Sequence, residues 1–191
     1  MSPGETELIR LRDGSPVTLR PATAGDEAAL HSFLSDLCLE ARRLRFFSGA
    51  ADIDSAAHWA TVTGPDRYGL IAQDSSGAIV GHATYVQLDT ARGLETRAEV
   101  AVEVADDLHG RGLGTILIER LAAVAERRGI ARFVAEVLPE NREMLDVFRD
   151  GFDAHLTFHE GVDSVELPTA SWRLAHRLRA QHAHSDPSAR R

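Results

Sequence analysis

No lysine occurs anywhere in the 191 residues, so all 21 cationic side chains are arginine. That absence excludes the phosphate loop that ends in Gly-Lys-Ser/Thr, whose amine must reach the phosphates. It also leaves the chain without an ε-amine of its own to modify. A single cysteine, Cys38, excludes a disulfide framework and fits a reducing compartment. Its place in an apolar helical pattern predicts a buried structural thiol rather than a nucleophile. No run approaches the roughly 20 apolar residues of a membrane span, and no N-terminal stretch resembles a signal peptide. A cytoplasmic protein without a membrane partner is expected. The net charge of −8 argues against nucleic acid as a partner, since a basic face is that footprint. It favours cationic partners instead. His182 and His184 lack a third ligand near them, so no metal is expected.

The length suits one domain with a sizeable core. Residues 1–15 are polar, with Pro3 and Gly4, and are expected to be flexible. Val17 to Pro21 reads as a strand, and Asp26 to Leu39 as an amphipathic helix with Ala29, Leu30, Phe33, Leu34 and Leu37 on one face. A helical or loop segment with Leu44, Phe46 and Phe47 follows, then a short helix from Ser55 to Val62. Tyr68–Ala72 and Ile79–Val86 are strands joined by the turn Asp74-Ser75-Ser76-Gly77. A turn over residues 89–95, with Gly93, leads into the strand Ala98–Val104. A helix from Thr115 to Arg128 ends at Gly129. The strand Ala131–Val137, a helix opened by Pro139-Glu140-Asn141 and closed by Gly151-Phe152, and strands near 154–159 and 162–167 complete the pattern. Residues 169–191 read as a short helix (Trp172, Leu174, Leu178) and a disordered tail.

The densest signal is Leu108-His109-Gly110-Arg111-Gly112-Leu113-Gly114-Thr115, between a strand and a helix. Such a turn aims several free N–H groups at one point, and the helix terminus adds about half a positive charge there. Gly112 and Gly114 let a ligand approach the backbone without a Cβ in the way. Pyrophosphate is the ligand this chemistry suits. The spacing Gly-x-Gly-x-Gly misses the dinucleotide fingerprint Gly-x-Gly-x-x-Gly.

His109 to Gly114 resembles the acyl-CoA turn of the GNAT family of N-acetyltransferases, with His109 where glutamine or arginine is usual. Val137 to Met144, followed by Gly151-Phe152, is similar to a second motif of that family. The resemblance covers about residues 15–168. It implies an α/β domain over 16–168, with a mixed, mostly antiparallel sheet of six to seven strands flanked by helices. Leu11-Arg12-Asp13-Gly14, Leu19-Arg20-Pro21, Arg45-Phe46-Phe47 and Ala98-Glu99 look more narrowly like the bacterial Pat-type protein lysine acetyltransferases. Members of that group often carry a fused sensor domain for which 191 residues leave no room, so regulation is expected to differ.

An amine attacks a thioester only when neutral, and a lysine amine has a pKa of about 10.4. A neighbouring base offsets part of the deprotonation and contributes typically 10²–10⁴-fold. Strand alternation puts Glu99, Ala101 and Glu103 on one face and Val100, Val102 and Val104 on the other. Either glutamate can serve by position; the Pat resemblance singles out Glu99. It also implies that acetyl-CoA is the co-substrate. Its pantetheine arm would lie along the backbone of Val102 and Val104, and its phosphates against His109, Gly110, Arg111, Gly112, Leu113, Gly114 and Thr115. Asn141 would help to bind the cofactor, or would simply cap the helix it precedes. Arg111 and Arg142 are the cations nearest to hand. Many relatives have a tyrosine seven residues after this asparagine to protonate the thiolate; here it is Phe148. The expected acceptor is a protein lysine, with an acyl-CoA synthetase as a candidate bearer, and a homodimer is a candidate assembly. A small-molecule amine acceptor, or a non-catalytic acyl-CoA sensor, is the alternative.

Overall fold

The computed structural model describes residues 5–47, 52–89, 94–173 and 177. The turn glycine Gly93, the tail residues Leu174 and Leu178 and the pair His182 and His184 lie outside them. Eight strands form one sheet in the order β1-β2-β3-β4-β5-β6-β8-β7. They are β1 (Glu7–Arg10), β2 (Pro16–Pro21), β3 (Arg67–Gln73), β4 (Ile79–Gln87), β5 (Arg97–Val104), β6 (Arg132–Val137), β7 (His155–His159) and β8 (Val162–Pro168). Among the described residues only β5 and β6 pair in parallel; the other neighbours are antiparallel. The helices are α1 (Glu27–Asp36), α2 (Leu39–Phe46), α3 (Ile53–Thr61), α4 (Leu113–Arg127) and α5 (Arg142–Phe152).

One strand exceeds the expected six to seven. It is β1, formed where residues 1–15 read as flexible. Glu7–Arg10 pairs with Leu19–Pro16, and the Arg120 guanidinium of α4 grips both Glu7 carboxylate oxygens at 2.8 and 2.7 Å. The strand is fixed by partners distant in sequence rather than by its own four residues.

The sheet separates two apolar cores. On one face α4 and α5 bury Leu113, Leu117, Leu121, Phe148 and Phe152 against Leu19, Tyr85, Phe133 and Val165. On the other, Leu30, Phe33 and Leu34 of α1 and Ala57 and Ala60 of α3 pack over Ala22 and Ile71. Strand β3, sandwiched between these layers, is buried from Tyr68 to Ala72, as expected of a strand covered on both faces. Helix α4 approaches β4 so closely that a Cβ on Gly81 would lie 3.1 Å from Leu113.

The long helix expected from Asp26 to Leu39 is broken. Leu37 takes an extended conformation (ψ 139°), which ends α1 at Asp36 and starts α2 at Leu39. Ala29, expected on the apolar face, is exposed. The predicted buried thiol is corrected by the break at Leu37. Cys38 leaves the apolar face, becomes the N-cap of α2 and is exposed. Its Sγ accepts from the Ala41 amide at 3.3 Å and donates to Asp106 at 3.4 Å.

Candidate active site

Strands β5 and β6 pair only from Arg97 to Glu99, against Arg132 to Val134. Beyond that point β5 remains bonded to β4 as far as Val104, and β6 to β8 as far as Val137. The two strands therefore part, and among the described residues the edge of β5 from Val100 onward has no neighbouring strand. A cleft of about 1530 Å³ opens there, walled by β5, β6, the glycine turn and α5. An unpaired strand edge bordering a cleft is a ready receptor for an extended polar chain.

At one end of this cleft the chain turns from β5 into α4. Gly110 and Gly112 take positive φ of 70° and 85°, and a Cβ on Gly110 would project into open space. Gly112 is the N-cap of α4, and among the described residues no side chain caps the N-terminus of the helix. The amides of Leu113, Gly114 and Thr115 begin the helix, and first-turn amides have no acceptor within it. All these residues line the cleft, and no acidic residue occupies the first turn of α4. The turn fits a pyrophosphate in charge, in free donors and in the space that side chains would otherwise fill.

The charged residues near the turn are arranged differently from expectation. The Arg111 guanidinium is paired with Asp13 at 2.7 Å. Two hydrogen bonds from Ser15, backbone then hydroxyl, with Arg111 added to them, hold the Asp13 carboxyl below its ordinary range. Arg142 is exposed and does not border the cleft. His109 donates from Nε2 to the Val104 carbonyl at 3.2 Å, and its Nδ1 lies 3.5 Å from Glu143 of α5. Its ring thus spans from the end of β5 to α5 rather than facing the turn. Asn141 does cap α5, accepting from the Met144 amide at 3.2 Å. Asn141 also borders the cleft. Phe148 lines the cleft and is buried.

Glu99 stands at the last β5–β6 pair, exposed, where the large cleft meets a second cavity of about 190 Å³. Cross-strand pairs form the floor of the smaller cavity, with Val86 opposite Glu99, Thr84 opposite Ala101 and His82 opposite Glu103. Phe46, Trp59 and Ala60 complete its apolar sides. Glu103, the other candidate base, is buried. Arg45 of α2 forms an ion pair with it, and His82 Nδ1 donates to it at 2.9 Å. Burial pushes the Glu103 carboxyl up, but the Arg45 charge and the His82 bond outweigh it and hold the pKa at about 2. So weak a base is a poor proton acceptor. Arg45 and His82 lie 58 and 21 residues from Glu103, so strand alternation alone had no access to the pairing.

The Acetyltransferase (GNAT) family model matches residues 35–152, which contain the glycine turn and both glutamates. The chain belongs to the GNAT acetyltransferase family. The crystal structure of the GNAT domain of S. lividans PAT superposes with a TM-score of 0.76 at 34% identity, covering 85% of this chain and 96% of that one. Acetyltransferase Pat of Mycolicibacterium smegmatis is 29% identical over 146 residues, 71% of this chain and 40% of that protein. An L-methionine sulfoximine/L-methionine sulfone acetyltransferase of Pseudomonas aeruginosa is 31% identical over 80 residues, 42% of this chain and 46% of that protein. The matches span less than half the length of these two curated relatives. These likenesses show a Pat-like GNAT domain. Among the described residues no helix is long and apolar enough to cross a membrane.

Proposed function

We propose that this protein transfers an acetyl group from acetyl-CoA to the ε-amine of a protein lysine, by direct attack of the amine. The observation that carries the reading is the position of Glu99, an exposed carboxylate at the junction of the two cavities. One cavity offers an unpaired strand edge and a phosphate-binding turn; the other offers an apolar slot. Acetyl-CoA, when bound, supplies the thioester to be attacked. The residues that would hold it are the β5 edge at Val102 and Val104, the amides from Gly112 to Thr115, and Asn141.

Glu99 would take a proton from the incoming ammonium, directly or through water, which makes the nitrogen nucleophilic. The pocket side chains orient the amine's stem: Phe46 and Trp59 offer apolar surface to its methylenes. Glu99 as the free carboxylate and the acidic balance of the chain favour a cationic acceptor. With Phe148 in place of a hydroxyl donor, the departing CoA thiolate leaves without a protein acid, and thiolates tolerate this. Two of the rim residues, Trp59 and Val86, are exposed, which suits a side chain presented by a larger partner.

The small volume of the slot favours a second reading, a small-molecule amine, which the methionine sulfoximine relative also brings to mind. Incubation with acetyl-CoA and a cell lysate, read by acetyl-lysine mass spectrometry, separates the two. New acetyl-lysine marks that need active enzyme support the protein acceptor. Turnover only with a panel of free amines overturns it. The lysine-free chain contributes no ε-acetyl background to that measurement.

A further inference from the structure

We propose that Arg12, carried on the turn between β1 and β2, is a pyrophosphate-binding cation for the acyl donor. The inference rests on the acyl-CoA reading above and adds a residue from a part of the chain remote from the glycine turn. The β1–β2 turn is closed by Leu11 and Gly14 amides on the Ser15 and Leu11 carbonyls, at 2.9 and 3.0 Å. It is then docked onto the glycine turn. The Arg12 amide donates to the Arg111 carbonyl at 3.2 Å, and Arg12 Nη1 reaches the Gly110 carbonyl at 3.4 Å. A Cβ on Gly112 would lie 3.2 Å from Arg12 Nε, so the guanidinium covers the very glycine that begins α4.

Charge accounting favours Arg12 over Arg111 and Arg142. A pyrophosphate entering a protein of net charge −8 needs a local cation. Arg111 is already paired with Asp13, and Arg142 is outside the cleft. Arg12 is exposed, borders the cleft and has no carboxylate within ion-pair distance among the described residues. Its planar fork suits two phosphate oxygens, and the α4 amides would face the same group. The Glu7–Arg120 and Asp13–Arg111 pairs hold both ends of the hairpin, so Arg12 is placed in advance of binding.

The test compares wild type with Arg12→Ala on three donors by calorimetry and steady-state kinetics. The dissociation constant for acetyl-CoA should rise about ten-fold or more. S-acetyl-pantetheine, which lacks the pyrophosphate, should be used equally by both proteins. Dephospho-acetyl-CoA, which keeps the pyrophosphate and lacks the 3′-phosphate, should show the full loss. Arg12→Lys should recover part of the affinity through its point charge. An unchanged dissociation constant, an equal loss with S-acetyl-pantetheine, or a loss that vanishes with the dephospho donor would each overturn the assignment. If the wild-type protein itself fails to bind acetyl-CoA, the acyl-CoA reading falls, and the role of Arg12 with it.

Discussion

Glu99 and Glu103 project from the same face of β5, four residues apart, yet one is exposed at the junction of two cavities and the other is buried in an ion pair. The difference assigns them different work. Glu99→Gln keeps the shape and removes the proton acceptor, so turnover at pH 7.5 should fall about 10²-fold or more. The loss should shrink toward pH 10, where more of the acceptor amine is already neutral. Acetyl-CoA affinity and thermal stability should stay near wild type. Glu103→Gln should retain turnover within a few-fold per folded molecule. Initial rates across a pH series decide the matter; full activity in Glu99→Gln would move the base elsewhere.

The buried carboxylate has its own signature in acid. The pKa of Glu103 is held at about 2 in the folded protein, against about 4.3 in an unfolded chain. A depressed pKa means that the group stabilises the fold fully above its unfolded value. That contribution is lost as pH falls from about 4.5 toward 2. Asp26, also lowered to about 2, by hydrogen bonds from Arg20 and Thr23 working against burial, adds to the same window. Denaturant unfolding of wild type should therefore weaken steeply between those pH values. Glu103→Gln should be less stable at pH 7 by about 1–3 kcal/mol, because Arg45 and His82 lose a charged partner. Its curve should also be flatter in acid. Superimposable curves for the two proteins would show that the pair contributes nothing to stability.

In the glycine turn, the two substitutions test different properties. Gly112 has a φ of 85°, where a β-branched residue is strained, and its Cβ would meet Arg12. Gly114 lies in α4, and its Cβ would have no neighbour nearer than Val104 at 3.8 Å. Gly112→Val should lose both stability and acetyl-CoA binding. Gly114→Val should fold normally and still fail to bind, because the added side chain fills the donor cleft. Calorimetry on a well-folded Gly114→Val with wild-type affinity would remove the turn from the cofactor site.

Local patterns made most of this fold legible. Leu113 to Arg127 repeats its apolar residues at helical spacing, and Arg97 to Val104 alternates, so the strand–turn–helix unit could be read directly. Helix α4 begins at Leu113, two residues before the expected Thr115, because Gly112 and Gly114 mask the helical pattern there. What escaped depends on distant partners. The β1 strand needs β2 and Arg120, and the burial of Glu103 needs Arg45 and His82. Arg12 was legible only as part of a family-like stretch, since its neighbour Gly110 is 98 residues away. Alternation says which face a side chain takes; it says nothing about what will cover that face.

Asn141 combines two roles that a pair of substitutions can separate. Its side-chain oxygen accepts from the Met144 amide and caps α5, while its amide nitrogen is the part left to serve a ligand in the cleft. Aspartate is as good an N-cap as asparagine, but its carboxylate cannot donate. Asn141→Asp should therefore keep the stability of the wild type and raise the Michaelis constant for acetyl-CoA several-fold. The new negative charge, in a cleft that receives a polyanion, acts in the same direction. Asn141→Ala removes the cap as well and should lower stability by about 1 kcal/mol. Asn141→Ser, which restores a capping oxygen without a carboxamide, isolates the missing donor from the added charge. If Asn141→Ser is as stable as wild type and binds acetyl-CoA equally well, Asn141 is a helix cap and nothing more. A raised Michaelis constant with unchanged unfolding would make it a cofactor ligand.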